Sequence, residues 1–138
     1  MKDDYLSIEQ VKELLPAQLK IIRKYGNSRS LYLTKDEIII SLSNSKEFES
    51  DKWWYSVFIY ELAEKGVKEV CFVLGKKGIV VLPLTILLNY AEYADFNENY
   101  AQGKRFFIRI KKENNKLILF QSGNKDIDIT SKFIPFHQ

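Results

Sequence analysis

In the segment GKRFFIRIKKENNK, residues 103–116, the hydrophobic positions 106, 108 and 110 are interleaved with positions that are mostly basic. Successive side chains of a β-strand point to opposite faces of a sheet, so Phe106, Ile108 and Ile110 are predicted to share one face. The other face is predicted to carry Arg105, Phe107, Arg109 and Lys111. The first set suits a hydrophobic core. The second set surrounds an aromatic ring with three cations, an arrangement that suits a phosphate backbone and a stacked base.

Helical spacing dominates the N-terminal segment. Ser7 followed by Gln10 is a capping-box pattern, and apolar residues then recur at helical intervals up to Tyr25-Gly26. Pro16 removes a backbone donor and clashes with the preceding turn. Residues 7–25 are therefore predicted to form two short helices or one kinked helix.

Most of the remaining chain has the pattern of strands and turns. Strands are predicted at Ser30–Leu33, Glu37–Leu42, Lys52–Tyr60, Lys68–Leu74, Ile79–Leu82, Lys104–Lys112, Lys116–Gln121 and Asp126–Thr130. A helix over residues 84–94 follows Pro83. Val57–Lys65 can alternatively form a short helix ending at Gly66. Polar loops are predicted at 43–52 and 95–103, and a tight turn at 75–78.

Asn114-Asn115 predicts a two-residue hairpin, because Asn tolerates the left-handed backbone conformation that such a turn needs. With this turn, Ile110 lies opposite Leu119 and Arg109 opposite Phe120. Phe120 and Ile118 then share the basic side of the hairpin.

The elements together predict an α+β fold built as a small open β-barrel, or pseudobarrel. It is expected to have about six to eight mostly antiparallel strands, N-terminal helices and one inserted helix. A chain of 138 residues suits a single domain, with a helical segment over 1–26 and a β-rich barrel over 30–134.

Charge is distributed unevenly, although the net charge is only +3. Residues 1–102 carry 13 Lys and Arg against 15 Asp and Glu, whereas residues 103–138 carry 8 against 3. This asymmetry indicates a basic surface in the last third of the chain. A solvated face of a lysine-rich protein would give the same pattern.

The single cysteine and the N-terminal sequence bear on the cellular compartment and on the possibility of a disulfide. Cys71 leaves no partner for an internal disulfide and is predicted to be an inert core thiol. No signal peptide is apparent, and no apolar run is long enough to span a bilayer. A cytoplasmic protein that does not contact a membrane is expected.

Catalytic patterns are weak. The single histidine, His137, is next to the C-terminus. Glu47, Glu49 and Asp51, or Asp126 and Asp128, place carboxylates on one side of an extended segment, as a Mg²⁺ site requires. Solvated loop and strand acids explain the same residues, so no catalytic residue, metal or cofactor is predicted.

Adjacent tryptophans offer a binding surface, because Trp53 and Trp54 in a strand must face opposite sides. One ring can be buried, and the other is left for packing under a loop or for a partner. The preceding residues, Ser43, Asn44, Ser45 and Lys46, have side chains of the kind that hydrogen-bond to phosphates and base edges.

The strand–Pro–helix segment GIVVLPLTILLNY, residues 78–90, resembles an element of the B-three DNA-binding pseudobarrel, which also occurs as the recognition domain of some bacterial restriction endonucleases. The succession of strands over residues 37–134 looks like such recognition domains. The resemblance implies duplex DNA held across an open, curved sheet, with cleavage performed by another domain or subunit.

We therefore expect a non-catalytic module that binds double-stranded DNA, as in a bacterial restriction–modification system. The predicted DNA-binding residues are Ser43, Asn44, Ser45, Lys46, Trp53, Trp54, Lys76, Lys77, Lys104, Arg105, Arg109, Lys111, Lys112 and Lys116. The alternatives are a small Mg²⁺-dependent nuclease using Glu47, Glu49 and Asp51, and a protein-interaction subunit of a phage or defence system.

Overall fold

A computed structural model describes residues 6–26, 30–44, 47–100, 103–120 and 126–136, without the side chains of residues 47–49, 99 and 100. The helices are α1 (Ile8–Leu14), α2 (Ile59–Glu64) and α3 (Leu84–Tyr90). The strands are β1 (Ile21–Lys24), β2 (Leu31–Thr34), β3 (Ile39–Ser43), β4 (Glu47–Glu49), β5 (Lys52–Val57), β6 (Val67–Val73), β7 (Gly78–Pro83), β8 (Phe96–Tyr100), β9 (Gly103–Glu113), β10 (Lys116–Phe120), β11 (Ile127–Asp128) and β12 (Phe133–Pro135). Short 3-10 turns span Ala17–Leu19 and Thr130–Lys132.

The strands form two six-stranded sheets, and the fold is α+β. Sheet I has the order β1-β2-β3-β6-β7-β12, in which β3 and β6 pair in parallel. Sheet II has the order β11-β10-β9-β5-β4, and β8 also pairs with β9. The described strands outnumber the six to eight expected, and the single small barrel is not confirmed.

Sheet I lies between two hydrophobic clusters. Its strand β6 is buried on both faces: Val70 and Phe72 belong to one cluster, and Cys71 and Val73 to the other. A strand covered on both sides has no polar face, which explains the continuous apolar run in this part of the sequence. Burial also raises the pKa of the Cys71 thiol, as expected for an inert core cysteine.

The larger cluster holds the two sheets together. Buried residues of β5 and β9, such as Tyr55 and Ile108, pack with α2, α3 and the inner face of sheet I. The Tyr55 hydroxyl donates a 2.6 Å hydrogen bond to the Val73 carbonyl, which ties sheet II to sheet I. The smaller cluster lies under α1 on the other side of sheet I. Sheet II therefore has one face in the core, and its other face is half-buried or exposed.

The N-terminal helix is shorter than predicted. The capping box of Ser7 and Gln10 is confirmed, and α1 ends at Leu14, just before Pro16. The helical prediction beyond Pro16 is wrong, because Ile21–Lys24 is strand β1, paired with β2. The apolar spacing of Leu19, Ile21 and Ile22 was ambiguous, and pairing with a neighbouring strand outweighs helical propensity here.

Other local predictions have mixed outcomes. Strand β7 runs into Pro83 and α3 as expected, and the helical alternative for Val57–Lys65 is confirmed by α2. The loop predicted at 95–103 is wrong in part, because Phe96–Tyr100 forms β8 against β9. Glu47–Glu49 similarly pairs with β5 within the predicted loop 43–52. None of the described helices has the length and apolar character needed to span a bilayer.

Candidate nucleic-acid interface

Strand β9 separates its side chains as the alternation predicts. Phe106, Ile108 and Ile110 are buried, at 1% exposure or less. Arg105, Phe107, Arg109 and Lys111 lie on the opposite, outer face and are half-buried. The long cationic side chains lie against the sheet, and the Nε atom of Arg105 is buried.

The neighbouring strands widen this outer face. Trp54 of β5 lies directly opposite Arg109, and Lys52 lies opposite Lys111. On the other side of β9, Phe120 of β10 is paired with Arg109. We name the set consisting of Lys52, Trp54, Arg105, Phe107, Arg109, Lys111 and Phe120 the basic-aromatic face. Its central row runs across three strands as Trp54, Arg109 and Phe120.

Three cations of the basic-aromatic face each lie over an aromatic ring. The Arg109 guanidinium carbon is 4.9 Å from the centroid of the Trp54 ring. The corresponding distance from Arg105 to Phe107 is 5.2 Å. Lys111 Nζ lies 4.9 Å from the centroid of Phe120. Such contacts are worth about 0.5–1 kcal/mol at exposed sites, so they favour cations that stay on the sheet over side chains extended into solvent.

Arg109 is also oriented by a carboxylate. Its Nη1 lies 3.1 Å from Asp95 Oδ2, and the Arg109 side chain is 16% exposed while that of Asp95 is 56% exposed. Asp95 directly precedes β8, and its carbonyl accepts a hydrogen bond from the Phe107 N–H of β9. This bond holds Asp95 beside Arg109. Lys111 is similarly 3.6 Å from the exposed Glu113. Ion pairs with exposed carboxylates are weak, so an incoming phosphate can compete for these cations.

Tyr90 supports the central row from below. Its hydroxyl donates a 3.0 Å hydrogen bond to the Phe120 carbonyl, which links α3 to β10. Burial is the main cause that raises the pKa of Tyr90 to about 12, opposed by the nearby Arg109. Tyr90 therefore remains a neutral donor at physiological pH and holds β10 beside Arg109.

Several predicted site residues lie elsewhere. Trp53 is fully buried in the core and is therefore removed from the interface, whereas Trp54 is 42% exposed. Lys104 has the opposite orientation on β9: its Nζ is 4.5 Å from the Phe96 ring centroid and 3.8 Å from Glu98 Oε2. Lys112 likewise alternates away from Lys111, at the exposed end of β9.

The described residues at 43–46 and 75–78, in the two predicted loops, are not on the strands that form the basic-aromatic face. Lys76 and Lys77 are in the turn between β6 and β7 of sheet I, and Lys77 Nζ lies 6.0 Å from the Trp53 ring centroid. Ser43 ends β3, also in sheet I, and the Asn44 side chain donates a 2.6 Å hydrogen bond to the Leu6 carbonyl. Ser45 and Lys46 lie outside the described residues.

Lys116 is exposed at the start of β10, on the outer face opposite Glu113. Its position agrees with the predicted hairpin, since Asn114 and Asn115 have φ values of 54° and 65° and the pair Arg109–Phe120 is as expected.

Sequence reasoning missed Lys52 and Asp95. Lys52 lies two residues before Trp54 in β5, and residues two apart in a strand share a face, so the sequence could have placed this lysine beside Trp54. No sequence pattern near Asp95 indicated its position.

The catalytic alternatives gain no structural support. Asp128 has a structural task, because its Oδ1 accepts hydrogen bonds from the Thr130 N–H at 2.9 Å and from the Thr130 hydroxyl at 2.6 Å. Within the described ranges, no three His, Cys, Asp or Glu side chains are grouped so as to hold a metal ion. The side chains of Glu47 and Glu49, and all of His137, lie outside the described part of the chain.

Comparison of the chain with known protein families, with curated proteins and with solved structures found no match. Function is therefore inferred from the residues and their arrangement.

Proposed function

We propose that this chain is a DNA-binding module that holds duplex DNA against the basic-aromatic face of sheet II. The observation that carries the proposal is the central row of Trp54, Arg109 and Phe120, with Arg105, Lys52 and Lys111 beside it on the same outer face. Phosphates are bound by guanidinium and ammonium groups, and exposed aromatic rings stack on bases or sugars.

The cations supply affinity in this proposal. Lys52, Arg105, Arg109 and Lys111 neutralise backbone phosphates and release counterions from the DNA. The modest excess of positive charge, with Asp95 and Glu113 as local partners, favours reversible binding that depends strongly on salt. Trp54, the most exposed ring of the face, supplies contact with a base or sugar.

A finer form of the proposal assigns the module to sequence recognition in a bacterial restriction–modification system, with cleavage performed by another domain or subunit. Its support is the succession of strands and the strand–Pro–helix unit Gly78–Tyr90, which resembles that of B-three-like pseudobarrels. The DNA-binding proposal does not depend on this assignment.

A salt titration tests DNA binding. The affinity for a short fluorescein-labelled duplex is measured by anisotropy between about 50 and 200 mM salt. Four phosphate contacts give a slope of log K against log salt near −3.6, at roughly 0.9 for each contact. The double variant Arg105→Ala/Arg109→Ala is expected to bind more weakly and to make the slope shallower by about 1.8.

The matched control removes two exposed cations from sheet I, in the variant Arg23→Ala/Lys24→Ala. It is expected to keep the affinity and slope of the unaltered protein. Binding that hardly responds to salt, or an equal loss in both double variants, would show that the basic-aromatic face does not hold the phosphates. A parallel titration with the single strands determines whether duplex or single-stranded DNA is preferred.

A further inference from the structure

DNA binding does not account for all the large apolar side chains that are exposed. In the described part of the chain they are Ile22, Trp54, Tyr60, Tyr93 and Phe96, and of these Trp54 alone belongs to the basic-aromatic face. A single exposed apolar residue is common, whereas neighbouring exposed rings with a polar rim mark a contact surface. Tyr60 and Phe96 are such neighbours, and Ile22 lies among residues of the opposite charge.

Tyr60 and Phe96 contact the same buried ring, although they come from α2 and β8. The ring centroids of Tyr60 and Phe106 are 5.4 Å apart, and those of Phe96 and Phe106 are 5.7 Å apart. Phe106 is 1% exposed, whereas Tyr60 and Phe96 are 46% and 45% exposed. The buried ring therefore holds two half-exposed rings close together at the surface.

Carboxylates border these rings. Glu98 shares its strand with Phe96, and its Oε2 lies 3.8 Å from Lys104 Nζ, which is itself 4.5 Å from the Phe96 centroid. Glu64 is exposed four residues after Tyr60 in α2, a separation that places two helical side chains on the same face. We name Tyr60, Phe96, Glu64 and Glu98 the acidic-aromatic patch. Its two carboxylates outnumber the single ammonium of Lys104, so its net charge is negative.

The other charged residues of the α2 region do not change this sign. Glu61 and Lys65 line a small pocket between the sheets, together with Ser41 and Ser56. Their opposite charges offset each other there, so the acidic-aromatic patch stays negative.

Strand β1 carries the opposite charge at the edge of sheet I. Ile22 is 58% exposed, and the adjoining Arg23 and Lys24 are also exposed. β1 is the first strand in the order of sheet I, and Arg23 Nη1 donates a 3.2 Å hydrogen bond to the Lys24 carbonyl. We name Ile22, Arg23 and Lys24 the basic edge.

The acids of the adjoining turn do not cancel the charge of the basic edge. Asp36 and Glu37 are in the turn between β2 and β3, where the Lys35 N–H donates a hydrogen bond to the Lys20 carbonyl. This turn therefore adjoins the start of β1, and Lys20 and Lys35 balance its two acids. The basic edge occupies the other end of the strand.

The basic edge and the acidic-aromatic patch complement each other but not themselves. Two basic edges in contact would bring like charges together, and so would two acidic-aromatic patches, which disfavours a two-fold contact through either surface. A contact between the unlike surfaces pairs the cations of one with the carboxylates of the other and covers Ile22 with the two rings. Such a contact between identical chains joins them head to tail.

We infer that a second copy of this chain docks on the acidic-aromatic patch through its basic edge, so that copies associate head to tail. Neither surface includes a residue of the basic-aromatic face, so this association is separate from the proposed DNA binding. Both surfaces are small. Interfaces of standard size range from micromolar to picomolar affinity, so we expect a dissociation constant above about 1 μM.

Sedimentation velocity of the complete chain, without DNA, tests the association. Between about 1 μM and 1 mM protein, the weight-average mass is expected to rise above that of one chain. The rise should be suppressed in about 1 M salt, where the Debye length is roughly 3 Å. A mass that stays at one chain over this range of protein concentration overturns the inference.

Two variants remove one surface each, at exposed positions. Ile22→Ser removes the apolar group of the basic edge, and Glu64→Lys/Glu98→Lys reverses the charge of the acidic-aromatic patch. Each variant alone is expected to associate roughly tenfold more weakly or less still. An equimolar mixture is expected to form a pair with one copy of each variant. That pair does not grow, because the mixture holds only one intact surface of each kind per pair.

The matched control is Glu113→Lys/Asp126→Lys, which reverses two exposed acids outside both surfaces and should associate like the unaltered protein. Circular dichroism checks that every variant is folded. A mixture of the two test variants that does not pair overturns the head-to-tail contact, and so does a test variant that associates as well as the unaltered protein. Equal weakening in the control also overturns it, since general charge attraction would explain all the losses.

The association and the proposed function fail separately. A chain that associates as expected but binds no duplex in the salt titration keeps this inference and overturns the DNA-binding proposal. A chain that binds DNA and stays monomeric does the reverse.

Discussion

Trp54 and Arg109 face each other across the antiparallel pair of β5 and β9, with the guanidinium carbon 4.9 Å from the centroid of the indole ring. On the far side of Arg109, the Asp95 carboxylate lies 3.1 Å from its Nη1. The arginine is therefore held between a ring and an acid at the middle of sheet II. This arrangement keeps one charged group and one exposed ring side by side, the combination that a nucleic acid strand can use.

Replacing Trp54 by alanine is expected to weaken DNA binding. A stacked base contributes about 1–3 kcal/mol, so the dissociation constant of Trp54→Ala should rise roughly five- to 150-fold. Fluorescence anisotropy with labelled duplex measures the change. Tyr93→Ala, which removes a more exposed ring outside the basic-aromatic face, is the control and should bind normally. Equal losses in the two variants would contradict a specific role for Trp54.

Removing the charge of Asp95 is expected to strengthen DNA binding. Asp95→Asn leaves Arg109 without its ionic partner and removes a repulsive carboxylate, so affinity should rise roughly two- to fivefold, the equivalent of one exposed ion pair. Binding at fixed low salt gives this ratio. Glu64→Gln removes an exposed acid from α2 and should leave affinity unchanged. A weaker complex with Asp95→Asn would mean that orienting Arg109 matters more than freeing it.

Gly78 is required where β7 meets β12. Its φ is 155°, and an added Cβ would clash with the Ile134 carbonyl oxygen and come within 2.8 Å of Pro135. Gly78→Ala should lower the free energy of unfolding by about 3–5 kcal/mol, since backbone strain and overpacking add together. Urea denaturation measures the loss.

Gly26 provides the matched comparison for that substitution. Its φ of 63° is also positive, but an added Cβ would have no heavy atom within 4 Å. Gly26→Ala should therefore lower the free energy of unfolding by only about 1–2 kcal/mol, the strain contribution alone. Similar losses at the two glycines would show that the close approach of β12 contributes nothing.

Asp128 links stability to acid pH. Hydrogen bonds from the Thr130 side chain and backbone lower the pKa of this carboxyl from its ordinary value of 3.8. Because the pKa of Asp128 is lower in the folded state than in the unfolded state, the ionised carboxylate stabilises the fold at pH values above the ordinary pKa. This contribution to stability is lost as the pH falls through the lowered pKa.

Asp128→Ala should therefore be less stable than the unaltered protein at neutral pH, and the difference should shrink as the pH drops below about 4. Urea denaturation at a series of pH values measures both effects. Asp126→Ala, at an exposed neighbouring acid, is expected to show little change. A stability difference that is constant across this pH range would mean that the Asp128 charge is not involved.

Local features of the structure were predictable because they depend on near neighbours in the chain. The capping box at Ser7, the left-handed Asn114-Asn115 turn and the pairing of Arg109 with Phe120 are all confirmed. Each depends on a few adjacent residues whose backbone preferences and alternation leave few arrangements. The separation of the two tryptophans, one buried and one exposed, follows from the same alternation.

Long-range features were not predictable. Ile21–Lys24 is a strand because β2 is available to pair with it, and β8 exists because β9 is long enough to pair with β8, β10 and β5. Asp95 reaches Arg109 only through that additional pairing. Ser41 and Ser56 are 15 positions apart in the sequence and belong to different sheets, yet they line one pocket.

The alternation of β9 already decided that Arg105, Arg109 and Lys111 share a side opposite Phe106, Ile108 and Ile110, because side-chain direction in a strand depends only on position along it. Tertiary structure decided which strands lie beside β9, and therefore that Trp54 and Phe120 join those cations while Lys104, Lys112 and the 75–78 turn do not. Tertiary structure also placed Ser41 and Ser56 in the lining of the same pocket. Strand pairing and sheet packing depend on burial summed over distant segments, which no single stretch of sequence contains.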